Sequence, residues 1–205
     1  MKIIAIAGGS GAGKSTLTYE LIDHHPNIFE VLHLDDYQKL RTESGLPRVK
    51  EMINFDHPDI INWSDMIRDI KALSKKQSVC IFTWGNRPDI DNSSITKRFE
   101  RTMNPKEILI IDGYLSLWNS KLRPSYDRKY FLELTETERL KRRTKFLYSE
   151  YKNDVLIPMH NKYIEPTKNY ADLIFDSNEL SPAQIYTKVI NDLQEKKLCK
   201  ISADI

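Results

Sequence analysis

Residues 8–16 read GGSGAGKST, a combination that could bind the phosphates of a nucleotide. Gly8 to Ser15 match the pattern G-x-x-x-x-G-K-[ST], in which glycines let successive backbone N–H groups surround phosphate oxygens. In this pattern Lys14 reaches the β- and γ-phosphates and the Ser15 hydroxyl ligates Mg²⁺. A tight turn without a ligand would explain the glycines but neither Lys14 nor Ser15. The predicted nucleotide-binding residues are Gly8, Gly9, Ser10, Gly11, Ala12, Gly13, Lys14, Ser15 and Thr16.

Asp112 ends the apolar run ILIID (108–112) and could help to hold the magnesium ion beside Ser15. Proteins with such a loop use a carboxylate at this position to arrange the ligands of the metal. A turn or helix-cap role is the alternative. The residues after Asp112 do not match the D-x-x-G of a GTPase switch, and the base-reading N-K-x-D is missing. The sequence therefore disfavours a GTPase and leaves an ATPase, a nucleotide-binding regulator or a kinase of a small molecule.

Asp35 and Asp36 follow the apolar run VLHL (31–34). Parallel sheets bind ligands at the carboxyl ends of their strands, so these carboxylates are expected at the site. A substrate hydroxyl is a weak nucleophile, and an aspartate within hydrogen-bond reach can orient it and accept its proton. With an ordinary pKa of about 3.9, Asp35 would be ionised and ready for that role. The alternative is an aspartate that simply starts a turn.

The apolar runs alternate with segments of helical periodicity. Helices are predicted over 14–24, 62–76 and 136–150, the last behind a capping box of Thr135 and Glu138, and a final helix is predicted behind Ser181 and Pro182. This alternation predicts a parallel sheet with helices on both faces. Residues 1–205 show no linker or repeat, so one domain is expected, with 35–60 as a loop on the substrate side. The predicted strands are 3–7, 31–34, 78–82, 108–112, 129–134 and 171–175.

Composition and charge exclude several classes of partner. Lys and Arg number 31 against 29 Asp and Glu, so a net charge of +2 gives no field that would recruit nucleic acid or an anionic membrane. No run approaches the ~20 apolar residues of a membrane span. Cys80 and Cys199 lie far apart, which predicts no disulfide framework and a cytoplasmic setting. The five histidines form no pair with metal-ligand spacing and are expected to be surface, packing or turn residues.

Five segments of the chain form a recognisable set: GGSGAGKST (8–16), LDDY (34–37), NFDHPD (54–59), ERLKRR (138–143) and PMHNKYIEPTKNYADLI (158–174). Together they resemble the uridine kinase family of the P-loop kinases. The resemblance implies a three-layer α/β/α fold with a mostly parallel sheet and a short lid, and transfer of phosphate from ATP or GTP, with Mg²⁺, to the 5′-hydroxyl of uridine or cytidine. It implies that Asp35 is the catalytic base, that Asp56 holds the ribose hydroxyls, and that Arg143 serves the sugar and the transferring phosphate. Asp112 stands where the family usually has Glu, and members often form homo-oligomers.

The lid region departs from the family pattern. Residues 139–157 form a short lid without the arginine-glycine-arginine stretch usual after the arginine pair. Arg139, Arg142 and Arg143 lie on one predicted helix and could place at least one guanidinium in the cleft. A solvated basic face and a nucleic-acid patch are the alternatives.

The residues expected to read the base also depart from the family. The stretch IFTWGNRPD (81–89) replaces a tyrosine-aspartate-aromatic run and a histidine that reads the pyrimidine edge. Phe82 and Trp84 could stack on a base or pack in the core, Asn86 or Arg87 could bind its edge, and Tyr37 is expected to pack against the sugar. The alternatives to a uridine kinase are a nicotinamide riboside kinase, another small-molecule kinase of the superfamily, and a nucleotide-binding regulator without turnover.

Overall fold

The computed structural model describes residues 1–84, 98–142 and 149–201. The helices within these ranges are α1 (Lys14–His24), α2 (Trp63–Ser74), α3 (Glu136–Arg142) and α4 (Pro182–Glu195), and residues 149–170 form consecutive short turns of α-, π- and 3₁₀-helix. No described helix is long and apolar enough to cross a membrane. The strands are β1 (Lys2–Gly8), β2 (Phe29–His33), β3 (Arg48–Val49), β4 (Met52–Ile53), β5 (Val79–Thr83), β6 (Phe99–Met103), β7 (Ile108–Asp112), β8 (Arg128–Glu133) and β9 (Leu173–Asp176).

Five parallel strands form the central sheet in the order β2-β7-β1-β8-β9. β1 lies in the middle, where Ile4 pairs with Ile110 of β7 on one side and with Arg128 of β8 on the other. β2 joins the far edge of β7, with His33 opposite Asp112. The carboxyl ends of β1, β7 and β2 are therefore neighbours, and the segments that follow them meet at one edge of the sheet.

Apolar side chains cover both faces of this sheet, which explains the uninterrupted apolar runs of the sequence. On one face Ile4 and Ile6 of β1 belong to the core cluster that includes Leu17 of α1 and Val189 of α4. On the other face, alternate residues of the same strands pack with α2 in a second core cluster. The three layers and the mostly parallel sheet expected from the sequence are confirmed.

The prediction that residues 78–82 belong to the parallel sheet is wrong. They form β5, which pairs with β6 in a separate antiparallel hairpin, and Thr83 lies opposite Phe99. Ile81 and Thr83 are buried, whereas Cys80 and Phe82 point to the exposed face. Such alternating burial is typical of a strand with only one face packed against the rest of the protein. The sequence did not show the alternation, because apolar residues also occupy the exposed positions. Neither β6 nor the β3–β4 hairpin within the loop 35–60 was predicted.

The capping box expected at Thr135 is also absent from α3. The backbone N–H and the hydroxyl of Thr135 donate to Oδ1 of Asn178 at 3.4 and 3.1 Å, and the Glu138 carboxylate accepts instead from Lys141 at 2.6 Å. The described part of α3 extends to Arg142. Residues 143–148, which include Arg143 and belong to both the predicted helix 136–150 and the predicted lid 139–157, lie outside the described residues.

Candidate active site

The phosphate-binding loop (residues 8–15) connects the end of β1 to the first turn of α1. Gly13 directly precedes Lys14 and has a φ of 97°, a left-handed conformation that side chains other than glycine rarely adopt. The Gly9 carbonyl accepts from the N–H of Ala12 at 3.2 Å and from Nζ of Lys14 at 3.1 Å. Because the amino end of a helix offers unpaired N–H groups and a positive dipole, the loop can bind an anion.

A cleft of about 350 Å³ opens at this loop. It brings together the predicted phosphate-binding, metal-binding and catalytic residues from the ends of β1, β2 and β7. A second groove of about 430 Å³ runs along α2, but no carboxylate, histidine or cysteine lines it. The residues of the cleft are Ser10, Gly11, Gly13, Lys14, Ser15, Thr16, His33, Asp35, Asp112, Gly113, Tyr114 and Arg142.

Asp112 is buried beside Ser15, as a shared metal site would require. Oδ2 of Asp112 accepts from Oγ of Ser15 at 3.4 Å and lies 2.9 Å from Nδ1 of His33. Its other oxygen, Oδ1, is buried without a hydrogen-bond partner. Because a buried carboxylate oxygen without a partner is costly, this atom suits a bound cation. The described residues hold no group of three or more acidic, His or Cys side chains that could hold a metal ion, so Ser15 and Asp112 could hold Mg²⁺ only together with nucleotide oxygens.

His33 orients Asp112, a role that the sequence did not reveal. The ring is buried between Asp112 and Tyr19, whose hydroxyl lies 3.1 Å from Nε2. Burial opposes protonation of His33, but the hydrogen bond and the charge of Asp112 outweigh it and raise the pKa of His33. The only signal in the sequence was the position of His33 at the end of a buried strand, next to the predicted catalytic turn.

Asp35 lies on the 3₁₀ turn Leu34–Tyr37 at the end of β2 and faces the cleft. It is exposed to the open cleft, yet surrounding protein atoms and then the Asp112 carboxylate raise the pKa of Asp35 to about 6, while Lys14 lowers it. Asp35 is therefore about nine-tenths ionised at pH 7, rather than completely as its ordinary pKa would give. Its Oδ1 accepts from Nε2 of Gln38 at 3.1 Å.

Trp84 is hydrogen-bonded to the 3₁₀ turn Leu34–Tyr37 that carries Asp35. Its backbone N–H donates to Oδ1 of the buried Asp36 at 3.0 Å, and its ring lies 4.9 Å from the guanidinium of Arg98. Arg98 also donates to the carbonyl of Gln38. Phe82, in contrast, is 55% exposed on the outer face of the hairpin. Asn86 and Arg87, expected to bind the edge of the base, lie outside the described residues.

Tyr37 does not face the cleft, contrary to the expectation that it packs against the sugar. Its ring is buried, and its hydroxyl donates to Oδ2 of Asp69 on α2 at 2.8 Å. Burial and then the charge of Asp69 raise the pKa of Tyr37. Tyr114, which the sequence did not single out, lines the cleft instead and donates to the Phe55 carbonyl at 2.6 Å. Its position two residues after Asp112 was the available signal.

Asp56 lies in the loop between β4 and α2 and is only 7% exposed. Its Oδ2 accepts from the hydroxyl of Tyr151 at 2.9 Å, and its backbone N–H donates to Oδ1 of Asn54 at 3.1 Å. Tyr114 connects this loop with the cleft through its bond to Phe55 and a bond of 3.3 Å from Gln38. These contacts link the loop of Asp56 to the turn that carries Asp35, and the role of Asp56 at the sugar stays a prediction.

Two arginines of α3 pack against the phosphate-binding loop. Nη1 of Arg142 donates to the Gly11 carbonyl at 3.4 Å, and Arg139 is buried against Gly9. A Cβ atom at Gly9 would lie 2.7 Å from Cδ of Arg139 and 2.9 Å from Cε1 of His160, so only glycine permits this close approach. Burial and then the charge of Arg139 lower the pKa of His160 to about 4, which keeps it neutral. Arg143 lies outside the described residues.

The chain matches one family model and several sequence relatives over most of its length. The model of the phosphoribulokinase / uridine kinase family matches residues 3–181. The uridine kinase of Chlamydia pneumoniae is 33% identical over 193 residues, which cover 87% of this chain and 82% of the relative. That of Staphylococcus haemolyticus is 32% identical over 203 residues, which cover 91% of this chain and 94% of the relative.

Two solved structures share the fold. A possible uridine kinase from Bacillus stearothermophilus gives a TM-score of 0.60 at 18% identity, with 85% of this chain and 88% of the other covered. Phosphoribulokinase from Rhodobacter spheroides gives a TM-score of 0.58 at 13% identity, with 85% of this chain and 69% of the other covered. These likenesses concern the fold alone, whereas the family model and the sequence relatives extend over most of the chain. The chain therefore belongs to the phosphoribulokinase / uridine kinase family.

Proposed function

We propose that this chain is a nucleoside kinase that transfers the γ-phosphoryl group of ATP, or of GTP, to the 5′-hydroxyl of uridine or cytidine. The observation that carries the proposal is the convergence of Lys14, Ser15, Asp112 and Asp35 in one cleft. Family membership supports a P-loop kinase of a small molecule. The nucleoside acceptor rests on Asp56 beside that cleft and on the relatives that are uridine kinases.

The phosphate-binding loop is proposed to hold the nucleotide. Its backbone N–H groups surround the β-phosphate, and Lys14 leaves the Gly9 carbonyl to contact the β- and γ-phosphates. The Ser15 hydroxyl and the unpartnered Oδ1 of Asp112 would hold Mg²⁺. When bound, this ion neutralises charge on the phosphate oxygens. Arg142, at the rim of the cleft, adds a positive charge that stabilises the transferring group.

Asp35 is proposed to activate the acceptor. It accepts the proton of the 5′-hydroxyl while the new O–P bond forms and the bond from the γ-phosphorus to the leaving ADP oxygen breaks. Asp56 accepts hydrogen bonds from the two ribose hydroxyls, which orients the sugar. Trp84, whose backbone is bonded to Asp36, is proposed to contact the base. Phe82 would contribute only if its exposed ring is covered on binding, and Arg143 keeps its proposed role at the sugar and the phosphate.

The cellular setting is part of the same proposal. A kinase of a small soluble metabolite that depends on ATP and Mg²⁺ is expected in the cytoplasm, with residues 1–205 acting as one domain. The near balance of positive and negative residues, with a net charge of +2, supports partners that are neither nucleic acid nor membrane.

Acceptor-dependent release of ADP tests the proposal. Mg²⁺-ATP is combined with uridine, cytidine, adenosine, nicotinamide riboside, pantothenate or ribose, and the monophosphate is identified by mass. Uridine or cytidine should release ADP, and Asp35→Asn should slow this by about 10²–10⁴-fold. Asp59→Asn is the matched control, because Asp59 lies in the acceptor-side loop with its side chain 75% exposed.

The other outcomes are equally informative. Release of ADP with nicotinamide riboside alone would keep the kinase and change the acceptor. Binding of nucleotide without any acceptor-dependent ADP would contradict the kinase and favour a regulator without turnover.

A further inference from the structure

The hydroxyl of Tyr151 covers the carboxylate of Asp56. It donates to Oδ2 of Asp56 at 2.9 Å and accepts from the backbone N–H of Phe55 at 3.2 Å. With this contact in place Asp56 is 7% exposed. A carboxylate so covered cannot accept two hydroxyl groups from a ligand until a neighbouring group moves away.

An ion pair also connects the β3–β4 region, near Asp56 in sequence, with the segment that contains Tyr151. Nζ of Lys50, in the turn between β3 and β4, lies 2.6 Å from Oδ2 of Asp154, one helical turn beyond Tyr151. The Lys50 side chain is 69% exposed, and exposed ion pairs of this kind contribute only about 0–1 kcal/mol. This ion pair therefore adds little to the attachment of the two segments.

The hydroxyl of Tyr151 presents to Asp56 the same chemical group as a sugar. A phenolic O–H and an alcoholic O–H each offer one donor to a carboxylate oxygen. We infer that Tyr151 occupies the position of an acceptor hydroxyl on Asp56 and must be displaced before the acceptor binds, so that Tyr151 sets which acceptors the site admits. This inference rests on the proposed function, in which Asp56 holds the hydroxyls of the acceptor.

Displacement has a consequence for acceptor chemistry. One hydroxyl of a ligand can only take the place of the Tyr151 hydroxyl on Oδ2 of Asp56, whereas two adjacent hydroxyls present two donors to the carboxylate at once. The site should therefore favour acceptors with a vicinal diol. If the chain is competent to bind only in the fraction of molecules in which Tyr151 has left Asp56, the observed dissociation constant is raised by the inverse of that fraction.

Removal of one hydroxyl group tests this inference. Calorimetric titration with uridine compares the wild type with Tyr151→Phe, which keeps the ring but cannot cover Asp56. The control is Tyr163→Phe, because the Tyr163 hydroxyl lies 3.1 Å from Nε2 of His57, next to Asp56 in sequence. We expect Tyr151→Phe to lower the dissociation constant about tenfold, a factor equivalent to about 1.4 kcal/mol, and Tyr163→Phe to leave it unchanged.

A variant with a smaller expected effect and the affinity for ATP provide further checks. Lys50→Met should lower the dissociation constant of uridine about twofold, since it removes only the outer ion pair. Affinity for ATP should not change in any of the variants. Equal or weaker binding of uridine by Tyr151→Phe would overturn the inference, because Tyr151 would then orient Asp56 or take no part in binding.

Hydrogen exchange of the Phe55 amide, measured without any acceptor, separates this inference from the proposed function. Absence of nucleoside binding by the wild type would refute the proposed function, but the amide exchange of Phe55 would still report on the cover. We expect this N–H to exchange faster in Tyr151→Phe than in the wild type, since its acceptor is lost, and to be unaffected in Tyr163→Phe. Unchanged exchange in Tyr151→Phe would overturn the inference, because the contact would not form in solution.

Discussion

Replacement of Asp35 by Asn should stabilise the unliganded chain at neutral pH, although the proposed catalytic role of Asp35 predicts that the same change slows phosphoryl transfer about 10²–10⁴-fold. Burial among protein atoms and the nearby Asp112 raise the pKa of Asp35 from 3.8 to about 6. At about 1.4 kcal/mol per pKa unit, this difference corresponds to about 3 kcal/mol of destabilisation when Asp35 is ionised. Asp35 is exposed to the cleft, so solvent screening reduces the expected gain to about 1 kcal/mol.

The sign of the effect depends on pH. Between about pH 4 and about pH 6 the folded chain holds a proton on Asp35 that the unfolded chain has lost, so this group makes stability fall as pH rises. The destabilisation is absent below the unfolded pKa of 3.8 and complete above about 6. Asn does not titrate. The advantage of Asp35→Asn over the wild type should therefore grow from low to neutral pH.

Urea denaturation without nucleotide or Mg²⁺ measures this difference, at about pH 4.5 and about pH 7.5. Asp176→Asn provides a control of opposite sign, because hydrogen bonds from the backbone and side chain of Asn178 hold the pKa of Asp176 below its ordinary value. That variant should lose stability at the higher pH. An Asp35→Asn chain that is less stable than the wild type at about pH 7.5, or whose gain does not change with pH, would refute the reasoning.

Three further outcomes are expected at the same site. Lys14→Ala should slow transfer by at least about 10²-fold through loss of γ-phosphate stabilisation, as measured in single-turnover experiments, and a rate close to that of the wild type would contradict its role. Gly9→Ala should push Arg139 and His160 from the loop and cost about 1–3 kcal/mol in the free energy of unfolding, and unchanged stability would show that both side chains move freely. The acceptor kcat/KM should fall as pH drops below about 6, where Asp35 becomes protonated; a midpoint near 4 would show that Asp112 and burial do not act on it.

The central sheet could be predicted because its strands are apolar on both faces and are separated by helices with local signals. The final helix illustrates this, since Ser181 and Gln184 form a capping box with bonds of 2.9 and 3.3 Å between neighbouring residues. The capping box predicted at Thr135 did not form, because the Thr135 hydroxyl donates instead to Asn178, which is distant in sequence. The prediction for residues 78–82 was wrong for a related reason. Which face of β5 is covered depends on tertiary contacts, and the spacing of apolar residues carries no information about them.

The site shows the same division between local and distant information. The meeting of Lys14, Ser15 and Asp112 in one cleft could be predicted because their motifs have fixed spacing relative to a strand end. The contact of Asp112 with His33 and that of Asp56 with Tyr151 join segments far apart in the chain. Such pairs follow from the order of strands and from the packing of loops, neither of which is written in residue spacing.

Identification of the phosphorylated product tests the central claim most directly. The chain is incubated with Mg²⁺-ATP and uridine, and the products are quantified by mass and by ³¹P NMR. The account predicts ADP and uridine 5′-monophosphate in equal amounts from the wild type, and formation of both about 10²–10⁴-fold more slowly by Asp35→Asn. Formation of ADP without a nucleoside monophosphate, or transfer undiminished in Asp35→Asn, would contradict it.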